Sequence, residues 1–100
     1  MTSTQLNALL GARVMVPAHV VHRAFAKETV ALNLETGTYF GLNPVAGRML
    51  EVLGEVGSVS QSARQLAREF DQPLERLEED LSTLCADLRE RGLIEVVVGA

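Results

Sequence analysis

One short run of residues marks the change from strands to helices: Glu35-Thr36-Gly37-Thr38-Tyr39-Phe40-Gly41-Leu42-Asn43-Pro44. Gly37 can take a positive φ angle, which suits a tight turn. Phe40 and Leu42 then share one face of a short strand, because side chains alternate along a strand. Asn43 is a good helix N-cap, and Pro44 suits the first helical position. The run therefore predicts a turn, a strand and a helix start in direct succession.

The residues before this run predict two further strands. Residues 19–26 alternate without a helical period, and Lys27-Glu28 suits a tight turn. Residues 29–34 also alternate, and their apolar side is formed by Val30, Leu32 and Leu34, which is the pattern of a half-buried strand. We therefore predict a three-stranded antiparallel meander over residues 19–42.

After Pro44 the apolar period becomes helical and predicts three helices. Two glycines end the first helix, and Ser58 with Gln61 fits a capping box at the start of the second. A break at Asp71-Gln72-Pro73 leads into the third helix, residues 73–91, which Gly92 ends. Its apolar positions step by three or four residues: Leu74, Leu77, Leu81, Leu84 and Leu88.

The predicted fold class is α+β, a winged helix-turn-helix-like domain in which a three-stranded antiparallel sheet precedes three helices. Residues 93–98 are compatible with a final short strand, and residues 14–16 with a short extended segment that Pro17 stops. A length of 100 residues fits one domain, which we place at residues 13–98 behind a flexible arm over residues 1–12.

Composition and charge narrow the class of protein. No apolar run approaches the roughly 18 residues that span a bilayer, and the N-terminus does not resemble a secretion signal. We therefore expect a cytoplasmic protein with no membrane partner. A net charge of −4 disfavours nucleic acid as a partner, because such binders usually neutralise phosphates with a basic face. The start of the third helix also carries four carboxylates: Glu75, Glu78, Glu79 and Asp80.

The sequence contains no recognisable catalytic or metal site. His19 and His22 fall in a strand-like segment, where their spacing turns them to opposite faces, away from any shared metal. No nucleophile elbow or phosphate-binding loop is present. Cys85 is the single cysteine and stands among leucines, as a small buried residue does. We expect no enzyme activity and no cofactor.

The third strand of the meander is the candidate binding element. It pairs on one side only, and residues 38–42 contain neither charge nor proline, which are the usual protection of an edge strand. Three explanations remain open: the protein's own helices cover the edge, a second copy pairs with it, or an extended peptide adds to it.

Two segments resemble the PqqD-like family. They are Glu28-Thr29-Val30-Ala31-Leu32-Asn33-Leu34 with the run described above, and the end of the third helix, Leu88-Arg89-Glu90-Arg91-Gly92-Leu93-Ile94. The resemblance extends over about residues 14–97. It implies a stand-alone RiPP recognition element, a domain that binds the leader of a ribosomally made precursor peptide and presents it to a modifying enzyme or leader peptidase, with lasso peptide biosynthesis favoured.

The resemblance also implies the binding residues. The leader would add as an antiparallel strand in a groove between the meander's third strand and the third helix. Independently of the resemblance, we expect a monomer or weak homodimer. The strand is Thr38, Tyr39, Phe40, Gly41 and Leu42, and the groove wall would come from Leu77, Asp80, Leu81, Leu84, Cys85 and Leu88. The sequence leaves open which of these helix residues face the core. A winged-helix DNA-binding regulator is the alternative function.

Overall fold

The computed structural model describes residues 9–97. Five strands and three helices lie wholly within this range, and they follow one another in the order β1 to β4, α1 to α3 and β5. The strands are β1 (Arg13–Met15), β2 (Val20–Ala24), β3 (Thr29–Asn33), β4 (Tyr39–Leu42) and β5 (Glu95–Val97). The helices are α1 (Pro44–Val56), α2 (Val59–Phe70) and α3 (Leu74–Glu90). The predicted α+β fold is confirmed, and the meander's third strand is β4.

The strands form two small antiparallel sheets. In the larger sheet β3 lies between β2 and β4, so β2 and β4 are its two edges. Its register pairs Val20 with Asn33 and Thr29 with Leu42. In the smaller sheet β5 pairs with β1, and Val14 lies opposite Val96. The predicted strand at the C-terminal end therefore exists, and it pairs with the extended segment near the N-terminal end.

Local chemistry places most helix ends where the sequence predicted them, although Gly54 lies inside α1 and Gly57 alone ends it. The Asn43 side chain accepts a hydrogen bond of 2.8 Å from the Ala46 backbone N–H, and Pro44 occupies the first turn of α1. Ser58 caps α2 by accepting from the Gln61 N–H. After α3, Gly92 adopts a φ angle of +75° and turns the chain towards the buried residues Leu93 and Ile94. Glycine adopts this conformation without the steric cost that a Cβ atom brings.

The core lies between the inner face of the larger sheet and the three helices. Its largest fully buried side chains include Leu50, Leu53, Leu66, Leu81 and Leu88. Leu9 and Val14 are also buried, so described residues at the N-terminal end contribute to the core. The predicted arm over residues 1–12 falls mainly on residues 1–8, which lie outside the described residues.

The face of β3 that is buried is not the apolar face that the alternation indicated. Thr29, Ala31 and Asn33 are buried, whereas Val30 and Leu32 are half-buried on the outer face and Leu34, beyond the strand, is 58% exposed. The reason is the close approach of α1: a Cβ atom on Gly47 would collide with the Thr29 side chain. This close approach leaves no room for a larger side chain at position 29. The outer face of the sheet is consequently rich in apolar residues.

None of the helices over residues 9–97 combines the length and the apolar character that crossing a membrane requires. Within the same residues, no three histidine, cysteine or carboxylate side chains are grouped closely enough to hold a metal ion.

Candidate functional site

Strand β4 presents a free edge with defined hydrogen-bonding groups. It pairs with β3 on one side, and no described strand pairs with its other side. The Thr38 carbonyl points towards β3, because it accepts a 2.9 Å hydrogen bond from the Asn33 N–H. The C=O and N–H of a trans peptide group point in opposite directions, so the Tyr39 N–H points outward. Alternation then turns the N–H and C=O groups of Tyr39 and Gly41 to the free edge.

An open groove runs beside the end of β4, between α1 and α3, with a volume of about 600 Å³. The apolar part of its wall is formed by Val45, Ala46 and Met49 of α1 together with Leu84 and Ala86 of α3. Its polar rim consists of Asn43, Asp80, Thr83, Asp87 and Glu90. A second depression shares Val45, Met49 and Asp80 and continues past Arg76 and Phe70. Together they form a surface channel along α3.

The structure divides the predicted α3 residues into two sets. Leu77, Leu81, Cys85 and Leu88 are buried in the core, and Leu77 also lines the second depression. Asp80 and Leu84 line the groove, with Asp80 exposed and Leu84 half-buried. In the predicted strand, Leu42 is buried and Phe40 half-buried, whereas Thr38, Tyr39 and Gly41 are exposed. The exposed and half-buried members of both elements are therefore the ones that an added peptide can reach.

Phe40 connects β4 to the end of α3. The Arg91 guanidinium lies 4.0 Å from the centroid of the Phe40 ring, in a cation–π contact. Arg91 is in turn held by Asp87, whose Oδ1 accepts a 3.1 Å hydrogen bond from Nε. This arrangement places one cation and one carboxylate next to the inner face of the free edge.

Asn33 fixes the position of the hairpin relative to α3. Its Oδ1 accepts hydrogen bonds from the backbone N–H groups of Glu35 and Thr36, and its Nδ2 donates to the Gly92 carbonyl. Asn33 is buried, so leaving these groups unpaired would be costly. The turn before β4 and the end of α3 are therefore held together by a single side chain.

Sequence reasoning missed most of the groove lining. It did not assign Val45, Ala46 and Met49, nor Thr83, Asp87, Glu90 and Arg91, to the site. In α1, these residues could have been found from the apolar stripe of the helix, which is wider than packing against the core requires. In α3, the signal was the helical period that joins Asp80, Thr83, Asp87 and Glu90 into one stripe, because residues three or four apart lie on the same side of a helix.

Cys85 and the two histidines take no part in this geometry. Burial raises the pKa of the Cys85 thiol from 9.0 to about 12, so it remains protonated and unreactive at neutral pH. His22 lies opposite Ala31 in the sheet, and His19 is 3.7 Å from a Glu35 carboxylate oxygen.

The fold and the site together define a class of small α+β domains in which a free strand edge borders an apolar groove. The chain belongs to the PqqD family: the family model described as coenzyme PQQ synthesis protein D matches residues 28–94. The resemblance inferred from the sequence is therefore confirmed. None of the curated proteins gives a significant sequence match to this chain.

Two solved structures are similar to this fold. One is TbiB1 in complex with the TbiA(beta) leader peptide, with a TM-score of 0.74 and 28% identity, covering 85% of this chain and 99% of TbiB1. The other is a lasso peptide synthetase B1 complexed with the leader peptide, with a TM-score of 0.72, covering 84% of this chain and 99% of the synthetase chain. Its identity of 23% supports similarity of fold alone.

Proposed function

We propose that this chain binds the leader region of a ribosomally synthesised precursor peptide and presents it to a processing enzyme, in lasso peptide biosynthesis. The leader adds as a strand to the free edge of β4, and its side chains enter the groove between α1 and α3. The observation that carries the proposal is the free edge of β4 beside an apolar groove. The two similar solved structures, both complexes with a leader peptide, support it.

Strand pairing alone is too weak for the proposed complex. Tyr39 and Gly41 offer four outward backbone groups, and four hydrogen bonds contribute about 2–6 kcal/mol net. Ordering a disordered leader costs about 2–5 kcal/mol, whereas a micromolar complex needs about 8 kcal/mol. Burial of apolar leader side chains must therefore provide most of the binding free energy.

The groove is suited to provide that apolar contact. Val45, Ala46, Met49 and Leu84 form a continuous apolar wall, and the groove volume of about 600 Å³ accommodates an aromatic or branched side chain. An apolar anchor that buries about 150 Å² contributes on the order of 4 kcal/mol. Two such anchors, together with pairing to β4 and after the cost of ordering the leader, reach the micromolar range.

We further propose that the second partner is the leader peptidase or another modifying enzyme of the same pathway. A leader-binding domain needs an enzyme that acts on the bound precursor, and TbiB1, the similar structure at 28% identity, is likewise in complex with a leader peptide. The alternative of a DNA-binding regulator is not favoured, because the chain belongs to the PqqD family and α3 begins with exposed carboxylates such as Glu75 and Glu79.

A proline substitution tests strand addition directly. Tyr39→Pro removes an N–H that points to the free edge while leaving the β3–β4 hydrogen bonds intact, and proline is tolerated on edge strands. We expect Tyr39→Pro to weaken binding of a labelled leader peptide from a candidate precursor by tenfold or more. Fluorescence anisotropy gives the dissociation constant, and circular dichroism checks the fold.

Tyr39→Ala is the matched control, because it removes the same side chain but keeps the N–H. We expect it to bind much more tightly than Tyr39→Pro. Equal affinities of the two folded variants would show that the leader does not pair with the backbone of β4.

A further inference from the structure

The Glu28 side chain lies over Gly41, where the outer face of β4 carries no side chain. A Cβ atom built on Gly41 would lie 3.1 Å from the Glu28 carboxylate oxygen Oε2. The reason is the register: Val30 pairs with Gly41, and Glu28 lies two residues before Val30 on the same face. The carboxylate and the free edge are therefore separated only by the space that a side chain at position 41 would fill.

The Glu28 carboxylate is available to a ligand. The residue is exposed, and within residues 9–97 its side chain makes no hydrogen bond and no ion pair. Two cations belong to the same region: Arg23, which pairs with Val30 across the sheet, and Lys27, the preceding residue. Neither lies within ion-pair distance of Glu28.

A strand added to β4 would bring one side chain next to this carboxylate. Directly paired residues of neighbouring strands project their side chains to the same face, with Cβ atoms about 4.5–5.5 Å apart. The peptide residue paired with Gly41 therefore projects to the outer face, across the bare backbone. A lysine or arginine side chain is long enough to cross Gly41 and reach Glu28, whereas a short side chain is not.

We propose that Glu28 is a specificity-determining residue that selects a lysine or arginine at the peptide position paired with Gly41. The inference rests on the proposed leader binding and adds the charge of one leader residue to it. This selection also requires Gly41, because any larger residue would fill the space between the Glu28 carboxylate and the basic side chain of the peptide. A glutamate or aspartate at the same peptide position would be repelled by Glu28.

We expect Glu28 to change the choice among peptides more than the affinity for any one of them. An exposed ion pair changes binding by about twofold to fivefold, because water and salt screen it. Replacing the lysine of the peptide with glutamate turns that attraction into a repulsion of similar size. The difference in binding free energy between the two peptides is therefore twice that of the ion pair alone. Because the effect is this small, the experiment compares the affinities of several peptides for the same variant rather than one affinity alone.

The test uses a display library of random peptides selected on the wild-type protein. One selected peptide that binds wild type but not Tyr39→Pro is synthesised. Lys, Gln and Glu are placed at each of its positions in turn, and every version is titrated into wild type, Glu28→Gln and Glu28→Lys. Glu95→Lys is the matched control, since it changes net charge equally on the exposed strand β5.

We expect wild type to prefer Lys over Gln and Gln over Glu, Glu28→Gln to show no preference, and Glu28→Lys to reverse the order. Added salt should reduce all three preferences, and Glu95→Lys should behave as wild type. An order that Glu28→Lys leaves unchanged at every peptide position overturns the inference while leaving leader binding intact. Failure to select any peptide sensitive to Tyr39→Pro overturns both proposals together.

Discussion

Single residues set how closely helix α1 approaches the sheet. Gly47 is buried in α1, and an ideal Cβ at this position would lie 2.7 Å from the Thr29 Cβ, which is closer than atoms of this kind approach. Thr29 is a branched residue on a paired strand, so it cannot move aside easily. Gly54 lies in the same helix, and its Cβ would meet only Val16 Cγ2 at an ordinary 3.5 Å. Two glycines of one helix therefore have different roles.

Alanine substitutions separate these roles. We expect Gly47→Ala to lower the free energy of unfolding by about 1–3 kcal/mol, because the added methyl group overpacks the contact with Thr29. Gly54→Ala should raise it by about 0.5–1 kcal/mol, because alanine favours the helix. Urea denaturation followed by circular dichroism measures both. A similar change in both variants would mean that α1 does not pack against Thr29 as closely as described.

At the scale of elements, helix α3 has two faces with different roles. One buries Leu77, Leu81, Cys85 and Leu88 in the core, and the next presents Asp80, Leu84 and Asp87 to the groove. The hairpin of β3 and β4 is held to the end of this helix by Asn33 and by the contact between Arg91 and Phe40. The free edge and the groove therefore keep one relative position, which a peptide that contacts both requires.

Two leucines of α3 distinguish its faces. Leu81→Ala should lower the free energy of unfolding by about 2–5 kcal/mol, because it leaves a cavity in the core. Leu84→Ala should cost much less stability but weaken leader binding by about five- to thirtyfold, the equivalent of about 1–2 kcal/mol of lost apolar contact. Thermal unfolding and anisotropy titration measure the two effects. Unchanged affinity of a folded Leu84→Ala variant would remove the groove from the proposed site.

At the scale of the whole molecule, the packed core sets the chemistry of Cys85. Its thiol is fully buried among the helices, and desolvation raises its pKa from 9.0 to about 12. An unfolded chain loses this proton above pH 9.0, whereas the folded chain keeps it until about pH 12. The stability contributed by the protonated thiol is therefore complete below pH 9.0 and is lost between these two values.

Alkaline titration of stability tests this burial. We expect the free energy of unfolding to fall above pH 9.0, by at most about 1.4 kcal/mol per pH unit from this group. A Cys85→Ala variant should be less stable at neutral pH but show a shallower fall, because it lacks the thiol. Urea unfolding at several pH values compares the two proteins. Parallel curves would indicate that the thiol is exposed to solvent in the folded state.

Local chemistry along the chain was enough to predict the order and the ends of the elements. The caps at Asn43 and Ser58, the turn at Gly37 and the helix end at Gly92 each depend on neighbouring residues only. The periodicity of the segments likewise identified strands and helices correctly, whereas peptide binding at the free edge of β4, which the family resemblance implied, stays a prediction. These features do not depend on how the elements pack.

Which face of each strand and helix is buried could be determined only from the packed molecule. Alternation grouped Val30 with Leu32 but could not tell that Thr29, Ala31 and Asn33 would be buried, because the face that α1 covers depends on how distant segments pack. The leucine period of α3 likewise could not separate the core from the groove. Burial depends on contacts between distant segments, and the groove and the carboxylate over Gly41 arise only when those segments meet.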